Sequence, residues 1–201
     1  MSPDDGGRWG ILGGTFDPVH NGHLNLAEQV ARNRALNGVL LIPSYRHPFK
    51  DDCCATFEHR IKMLQLATVG HAGLMVSDME KEMDLSGFTV DSIQAIKLRY
   101  PQADWSFIIG EDNVADLQHW RSPDLILSQV RILVGERPPH VACDLIGQFP
   151  SDRIEMVSIN MVDVSSTDIR ARLAADASDK SLVTLMPGAV IEHIVEHGLY
   201  Q

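Results

Sequence analysis

The sequence has few cysteines, and their pattern argues against a disulfide-stabilised extracellular fold. Three cysteines occur among 201 residues, and the odd number includes the adjacent pair Cys53 and Cys54. This usage fits a reducing compartment better than a disulfide framework, so a cytoplasmic location is expected. No cysteine–histidine spacing resembles a zinc site.

Basic charge and long apolar runs are also scarce. The sequence has 17 Lys and Arg residues and 27 Asp and Glu residues, which gives a net charge of −10. A general nucleic-acid binder needs a basic face for phosphate contacts, so this balance argues against one. The net charge does not exclude binding of a small phosphate ligand, because the local field at a site can oppose the charge of the whole protein. No apolar run approaches the length of a membrane span, so no membrane partner is expected.

The remaining composition is that of one globular domain. Hydrophobic residues make up 44% and charged residues 22%, which is ordinary, and the length suffices for a sizeable core. Residues 1–8 are polar, acidic and glycine-rich, without the apolar centre of a signal peptide. We therefore expect a flexible N-terminal tail over 1–8 and a single domain over 9–201.

Short apolar runs alternate with segments of helical periodicity, which predicts an α/β fold. Strands are expected at 9–12, 39–42, 74–76, 105–109, 130–134 and 153–157, and the first helix at 21–36. Continuous apolar runs are typical of parallel strands that are buried on both faces. The prediction is a Rossmann-like doubly wound sheet, mostly parallel, with helices on both faces and no second domain.

The most informative stretch is GGTFDPVHNGHL, from Gly13 to Leu24. It joins a strand to a helix through glycines, which let the backbone approach a ligand, and the amides at a helix start favour a phosphate. His20 and His23 are three residues apart, can face the same way, and can donate hydrogen bonds to phosphate oxygens. Taken alone, the glycines also fit a simple tight turn with one histidine as a helix cap.

Other polar residues follow strands or begin helices. The loop 44–55 carries Arg46 and Lys50 after a strand, where ligands of open α/β sheets bind. Thr89 is expected as a helix N-cap, and Trp120 as a partly buried anchor. The charged run 78–82 is expected to be a solvated edge.

A second motif is VSSTDIR, residues 164–170. Hydroxyl groups at a helix start, together with Arg170 one turn later, can clamp a triphosphate. The simpler alternative is a Ser/Thr helix cap with a surface arginine, and the motif alone does not decide between them.

Together these motifs resemble one family. TFDPVHNGH closely resembles the (T/H)xGH motif region of the nucleotidyltransferase superfamily, and GGTFDPVHNGH has the form found in nicotinate-nucleotide adenylyltransferases. VSSTDIR resembles that family's ISSTxIR motif, and the helix after Thr56 resembles its RxxML helix, which is expected to pack in the core. The resemblance covers nearly the whole chain from Trp9, and implies that 9–201 is a single nucleotidyltransferase domain.

The resemblance implies adenylyl transfer from ATP to nicotinate mononucleotide, giving nicotinate adenine dinucleotide and pyrophosphate, a step of NAD biosynthesis. The implied catalytic residues are His20, His23 and Arg170. The implied ATP-binding residues are Gly13, Gly14, Thr15, Gly110, Asp112, Ser166, Thr167 and Arg170. The implied substrate-binding residues are Lys50, Thr89 and Trp120. The expected cofactor is Mg²⁺, held mainly by ATP phosphates, with no protein ligand assigned.

The chain departs from the family pattern in a few places. Phe88 stands where the family has tyrosine, Glu111 stands where a small residue is commoner, and Phe49 interrupts the proline-rich loop before Lys50. No role is assigned to 135–140.

Three alternatives remain open from the sequence. One is an adenylyltransferase for nicotinamide mononucleotide or another phosphorylated acceptor, such as phosphopantetheine. Another is a non-enzymatic nucleotide-binding regulator. The third is a metal hydrolase in which Asp17, His20 and His23 are ligands. The oligomeric state is not predicted.

Overall fold

The computed structural model describes residues 2–46, 53–136, 147–160 and 162–201. The strands are β1 (Gly7–Gly14), β2 (Gly38–Pro43), β3 (Leu74–Val76), β4 (Ala103–Gly110), β5 (Arg131–Gly135) and β6 (Ile154–Val157). The helices are α1 (Asn21–Asn33), α2 (Phe57–Ala67), α3 (Met79–Glu82), α4 (Thr89–Arg99), α5 (Pro123–Gln129), α6 (Ser166–Ala175), α7 (Leu182–Leu185) and α8 (Gly188–Glu196). Short 3-10 turns cover Pro3–Asp5, Glu111–Asn113 and Leu117–His119.

The strands form one sheet in the order β3-β2-β1-β4-β5-β6. All five pairings in the described part of the chain are parallel, so the sheet is parallel throughout rather than mostly so. The chain moves outward from β1 to one edge and then returns to β4 on the other side of β1. This reversal places a crevice at the carboxyl ends of β1 and β4, where ligands bind in such sheets. The predicted doubly wound α/β fold is confirmed.

Side chains that alternate along the strands divide the core into two hydrophobic clusters. In β1, Trp9 and Ile11 join one cluster and Leu12 joins the other, because successive side chains point to opposite faces. Helices α1, α2, α6 and α8 cover the Leu12 face, and α4 and α5 cover the Trp9 face. Helices therefore lie on both faces, as predicted.

The first strand begins earlier than the sequence predicts, within the segment 1–8 that is expected to be a flexible tail. Gly7 pairs with Ala103 at the beginning of β1, and the backbone N–H of Arg8 donates to the side chain of Asn37 at 2.8 Å. Residues 7 and 8 thus belong to the sheet rather than to the tail predicted over 1–8. Backbone pairing needs no apolar side chain, so a polar strand start leaves little signal in the sequence.

Helix ends also differ from the prediction in two places. α1 ends at Asn33 rather than at residue 36, because Ala35 adopts a positive φ of 48° that leaves the helix. The N-cap of α4 is Phe88 rather than Thr89, and the hydroxyl of Ser86 accepts a hydrogen bond from the Phe88 N–H at 3.2 Å. The described helices include none that is both long and apolar enough to cross a membrane.

Candidate active site

The turn between β1 and α1, residues 14–20, lies at the crevice and presents two stacked imidazoles. His20 is the N-cap of α1 with an extended φ of −146°, and the His20 and His23 ring centroids are 3.7 Å apart. Phe16 packs edge-on against the His23 ring, with centroids 4.9 Å apart. The two histidines therefore face the same way, as their spacing predicts.

The backbone fixes the tautomer of His23. The N–H of His20 donates to Nδ1 of His23 at 3.2 Å, so Nδ1 carries a lone pair and Nε2 carries the proton of a neutral ring. His20 is 6% exposed, and its Nδ1 is buried without a hydrogen-bond partner among the described residues. His23 thus has a defined donor at Nε2, and His20 has a buried ring nitrogen, Nδ1, that no described residue contacts by a hydrogen bond.

Burial favours the neutral form of both imidazoles. It lowers the pKa of His20 to about 4. Burial and the neighbouring His20 ring lower the pKa of His23 well below its usual value. A phosphate anion beside the rings would favour their protonated forms, because an opposite charge stabilises a cation.

These lowered pKa values predict an acid-dependent loss of stability. The unfolded chain binds a proton at His20 near pH 6.5 while the folded chain resists it until about pH 4. The unfolded state therefore holds more protons in that window, and the free energy of unfolding falls as pH drops from 6.5 to 4. Chemical denaturation at several pH values measures this decrease in the free energy of unfolding. The decrease should be smaller in His20→Asn than in the parent protein, by at most about 3 kcal/mol. Equal pH slopes in the two proteins would contradict the assignment.

The start of α6 packs against the β1–α1 turn and brings the two motifs together. The hydroxyl of Ser166 donates to the carbonyl oxygen of Pro18 at 2.9 Å. Arg170 donates to the carbonyl oxygen of Asp17 at 2.6 Å and to the hydroxyl of Thr167 at 3.3 Å. Groups that are about 150 residues apart in the sequence therefore share one face of the turn.

The Asp17 carboxylate has a structural role in this arrangement. It is 5% exposed and accepts from the backbone N–H groups of Cys54 and Ala55 at 2.7 and 3.1 Å. The hydroxyl of Tyr200 donates to the same carboxylate at 2.6 Å. Because donors occupy both oxygens, the metal-hydrolase alternative built on Asp17, His20 and His23 is not supported.

Arg60 is a positioning residue that the sequence analysis missed. It is 2% exposed, and its guanidinium donates to the carbonyl oxygens of Thr15 and Ser44, both at 2.9 Å. It thereby joins the loop after β1 to the loop after β2. The signal was an arginine on the apolar side of α2, since a buried charge must find hydrogen-bond partners.

The charged run 78–82 is not solvated throughout, because Glu80 is buried. Glu80 is 6% exposed, and its carboxylate accepts from the N–H of Tyr45 at 2.9 Å and the hydroxyl of Ser92 at 2.6 Å. Burial raises the pKa of Glu80, although these two hydrogen bonds oppose the shift. Glu80 holds the loop after β2 against α4.

The other side of the crevice contains the end of β4 and Trp120. A Cβ atom on Gly110 would lie 2.4 Å from a carboxylate oxygen of Asp112, so the glycine lets that carboxylate fold back over the strand end. The Trp120 ring is half-buried and stands edge-on to Phe107 of β4, with centroids 5.9 Å apart.

The start of α4 adjoins the same segment. The Arg121 guanidinium lies 4.8 Å from the centre of the Phe88 ring and 3.6 Å from the Asp91 carboxylate. Trp120 and Thr89 therefore belong to neighbouring segments, which the sequence could not show. Lys50 and residues 137–140 lie outside the described residues.

These features define a class of protein. The sheet order, the glycine turn with two histidines at the carboxyl end of β1, and the hydroxyl–arginine helix start against it are typical of nucleotide-binding α/β proteins.

Comparison with known proteins identifies the family. Residues 11–172 match the cytidylyltransferase-like family. A probable nicotinate-nucleotide adenylyltransferase of Oceanobacillus iheyensis is 36% identical over 95% of each chain. One from Tropheryma whipplei is 33% identical over 94% of this chain and 98% of its own. The chain belongs to the nicotinate-nucleotide adenylyltransferase family, within the cytidylyltransferase-like proteins.

A solved structure has the same fold. The nicotinic acid mononucleotide adenylyltransferase of Plasmodium falciparum, complexed with NaAD, has a TM-score of 0.81 and 18% sequence identity, covering 96% of this chain and 97% of that chain.

Proposed function

We propose that this protein transfers the adenylyl group of ATP to nicotinate mononucleotide, releasing nicotinate adenine dinucleotide and pyrophosphate in NAD biosynthesis. The observation that carries the proposal is the contact between Arg170 and the Asp17 carbonyl, three residues before His20. It supports a site in which Arg170 and the start of α6 act on the same ligand as the two imidazoles. Family membership supports the choice of acceptor, and the cysteine usage is consistent with a cytoplasmic location.

The reaction needs alignment and charge neutralisation more than acid–base chemistry. A phosphate oxygen of the mononucleotide attacks the α-phosphorus of ATP in line, and the bond from that phosphorus to the pyrophosphate oxygen breaks. The attacking oxygen is already anionic at neutral pH, so no general base is required. Two anions must be held together while charge moves onto the leaving pyrophosphate.

The residues at the crevice fit this need. His20 and His23 donate to the α- and β-phosphates, and His23 does so through Nε2, since its Nδ1 accepts from the backbone. The amides of Gly13 and Gly14 and the residue Thr15 form the cradle at the end of β1.

The β,γ end of ATP is assigned to α6. The backbone N–H of Ser166, the hydroxyl of Thr167 and the guanidinium of Arg170 hold those phosphates, with Lys50 as a further cation. The Ser166 hydroxyl stays on the Pro18 carbonyl oxygen. Asp112 binds the ribose of the adenosine beside Gly110, a usual pairing at the end of such strands.

A magnesium ion held by triphosphate oxygens and water fits this donor set. The buried carboxylate at the turn, Asp17, is occupied by three donors, so it does not hold a metal. When bound, the ion neutralises charge on the phosphates of ATP.

The acceptor site predicts discrimination between pyridine mononucleotides. The amides at the start of α4, near Thr89, favour a carboxylate over a carboxamide, and Trp120 offers a ring for stacking. We expect kcat/KM for nicotinate mononucleotide to exceed that for nicotinamide mononucleotide by about tenfold or more. Steady-state kinetics with each substrate measures this ratio, and equal values would count against the assignment.

One assay tests the function as a whole. Purified protein receives ATP and Mg²⁺ with nicotinate mononucleotide, nicotinamide mononucleotide or phosphopantetheine, and pyrophosphate is measured. Release with the nicotinate substrate is expected. Release only with another acceptor would change the substrate, and ATP binding without release would favour the regulator.

A further inference from the structure

Three histidines outside the crevice converge where α2 meets the C-terminal end of α8. His59 lies in α2, His193 in α8, and His197 directly follows α8. Nδ1 of His59 and Nε2 of His193 are 3.1 Å apart, and one ring nitrogen from each of the three lies within 4.8 Å of the others. The adenylyl transfer proposed above uses none of them.

The surrounding contacts leave lone pairs available on this cluster, which we call the α2–α8 histidine cluster. Nδ1 of His197 is 2.9 Å from the carbonyl oxygen of His193. A carbonyl can only accept, so this nitrogen carries the proton and Nε2 carries the lone pair. A ring whose other nitrogen donates to a carbonyl is the usual form of a metal-binding histidine.

The middle ring has an environment that suits a ligand. His193 is 8% exposed, and its ring lies between those of His59 and His197, with ring centroids 5.2 and 4.2 Å away. A buried central ring flanked by two others holds the three potential ligands in one place. His197 is exposed, which leaves one side of the cluster open to water.

We propose that His59, His193 and His197 form a binding site for a divalent transition metal, with zinc as the best match. Imidazole nitrogens suit zinc, which takes three protein ligands and a water in open tetrahedral sites. Nitrogens about 2.05 Å from a tetrahedral zinc are about 3.3 Å apart. The 3.1 Å contact between His59 and His193 is a hydrogen bond whose proton the metal would displace, and its length is already close to this value. The three ring nitrogens lie within 4.8 Å of one another, so the His197 side chain would move inward to complete the site.

The bound metal ties α2 to α8 and acts on stability rather than chemistry. Ala55, just before α2, and Tyr200, just after α8, both donate to the Asp17 carboxylate. A metal at the α2–α8 histidine cluster therefore fastens together the two segments that hold Asp17. Because it binds the folded state, it should raise the melting temperature.

The experiment is a Zn²⁺ titration of the metal-stripped full chain by calorimetry, paired with thermal unfolding. We expect one equivalent to bind and, at about 100 times Kd, a Tm rise of about 5–10 °C. His197→Gln, at an exposed position, should weaken binding by about tenfold or more. His193→Phe should do the same, while His71→Gln, outside the cluster and paired with Glu28, should leave affinity unchanged.

A Co²⁺ titration separates this site from thiol binding. Nitrogen ligation gives visible d–d bands without a thiolate charge-transfer band, and His197→Gln should remove those bands. The proposal is overturned by thiolate bands, by affinity that is unchanged in both cluster variants, or by the absence of stoichiometric binding to the parent protein.

Discussion

Replacing His23 with alanine is expected to lower kcat by about a hundredfold or more, the usual cost of losing one key transition-state donor. The Nδ1 atom of His23 is held by the backbone N–H of His20, so its Nε2 proton is available before substrate arrives. A donor that is already oriented stabilises the transition state most strongly, because negative charge moves onto the leaving pyrophosphate at that point. The loss should therefore appear in kcat more than in the KM for ATP.

Steady-state pyrophosphate release measures this effect, with His71→Ala as the matched loss of an imidazole away from the crevice. The Tm of His23→Ala should be recorded as well, because the variant also loses the contact with the His20 backbone. Near-parental turnover in a folded His23→Ala protein would contradict the assignment of His23 as a transition-state donor. So would an equal loss in His71→Ala.

Replacing Asp17 with alanine is expected to destabilise the protein by roughly 2–4 kcal/mol, through the loss of acceptors for buried donors. The N–H groups of Cys54 and Ala55 and the Tyr200 hydroxyl would all lose a partner. Burial and the hydrogen bond to Asp17 raise the pKa of Tyr200, so this hydroxyl remains a protonated donor.

Urea denaturation measures the free energy of unfolding of both variants. Asp17→Ala removes all three hydrogen bonds to the carboxylate, and Tyr200→Phe removes one of them. Tyr200→Phe removes a donor and leaves no donor unsatisfied, so it should cost only about 1 kcal/mol. If the two variants lose equal stability, the carboxylate does not hold the three segments together as described.

Much of the fold could be predicted from the sequence, because its signals are local. Strands buried on both faces produce continuous apolar runs such as 39–42, and the glycine turn marks where the first strand passes into a helix. The two motifs at the crevice could also be found, since each has its residues close together along the chain.

The contacts that hold the site together could not be predicted in the same way. Asp17 meets Tyr200 across 183 residues, and Arg60 meets Thr15 across 45. Glu80 lies in a run of charges that resembles a solvated edge. Whether such a charged residue is buried depends on partners that are brought in by the fold, and no periodicity encodes them.

The roles of individual site residues stay predictions. The structure places Ser166 and Arg170 beside the β1–α1 turn, and the segments of Trp120 and Thr89 next to each other. Lys50 lies outside the described residues.

The two hydrogen bonds from Arg60 to Thr15 and Ser44 have a mechanical consequence. The loops that follow β1 and β2 share one guanidinium nitrogen, Nη1, so neither loop can shift far without breaking its own bond to Arg60. They should therefore move as one body when a nucleotide enters. A lysine at position 60 would lose the bond from Nε to the Ala55 carbonyl oxygen that orients the arginine, so its ammonium would hold the two loops less rigidly.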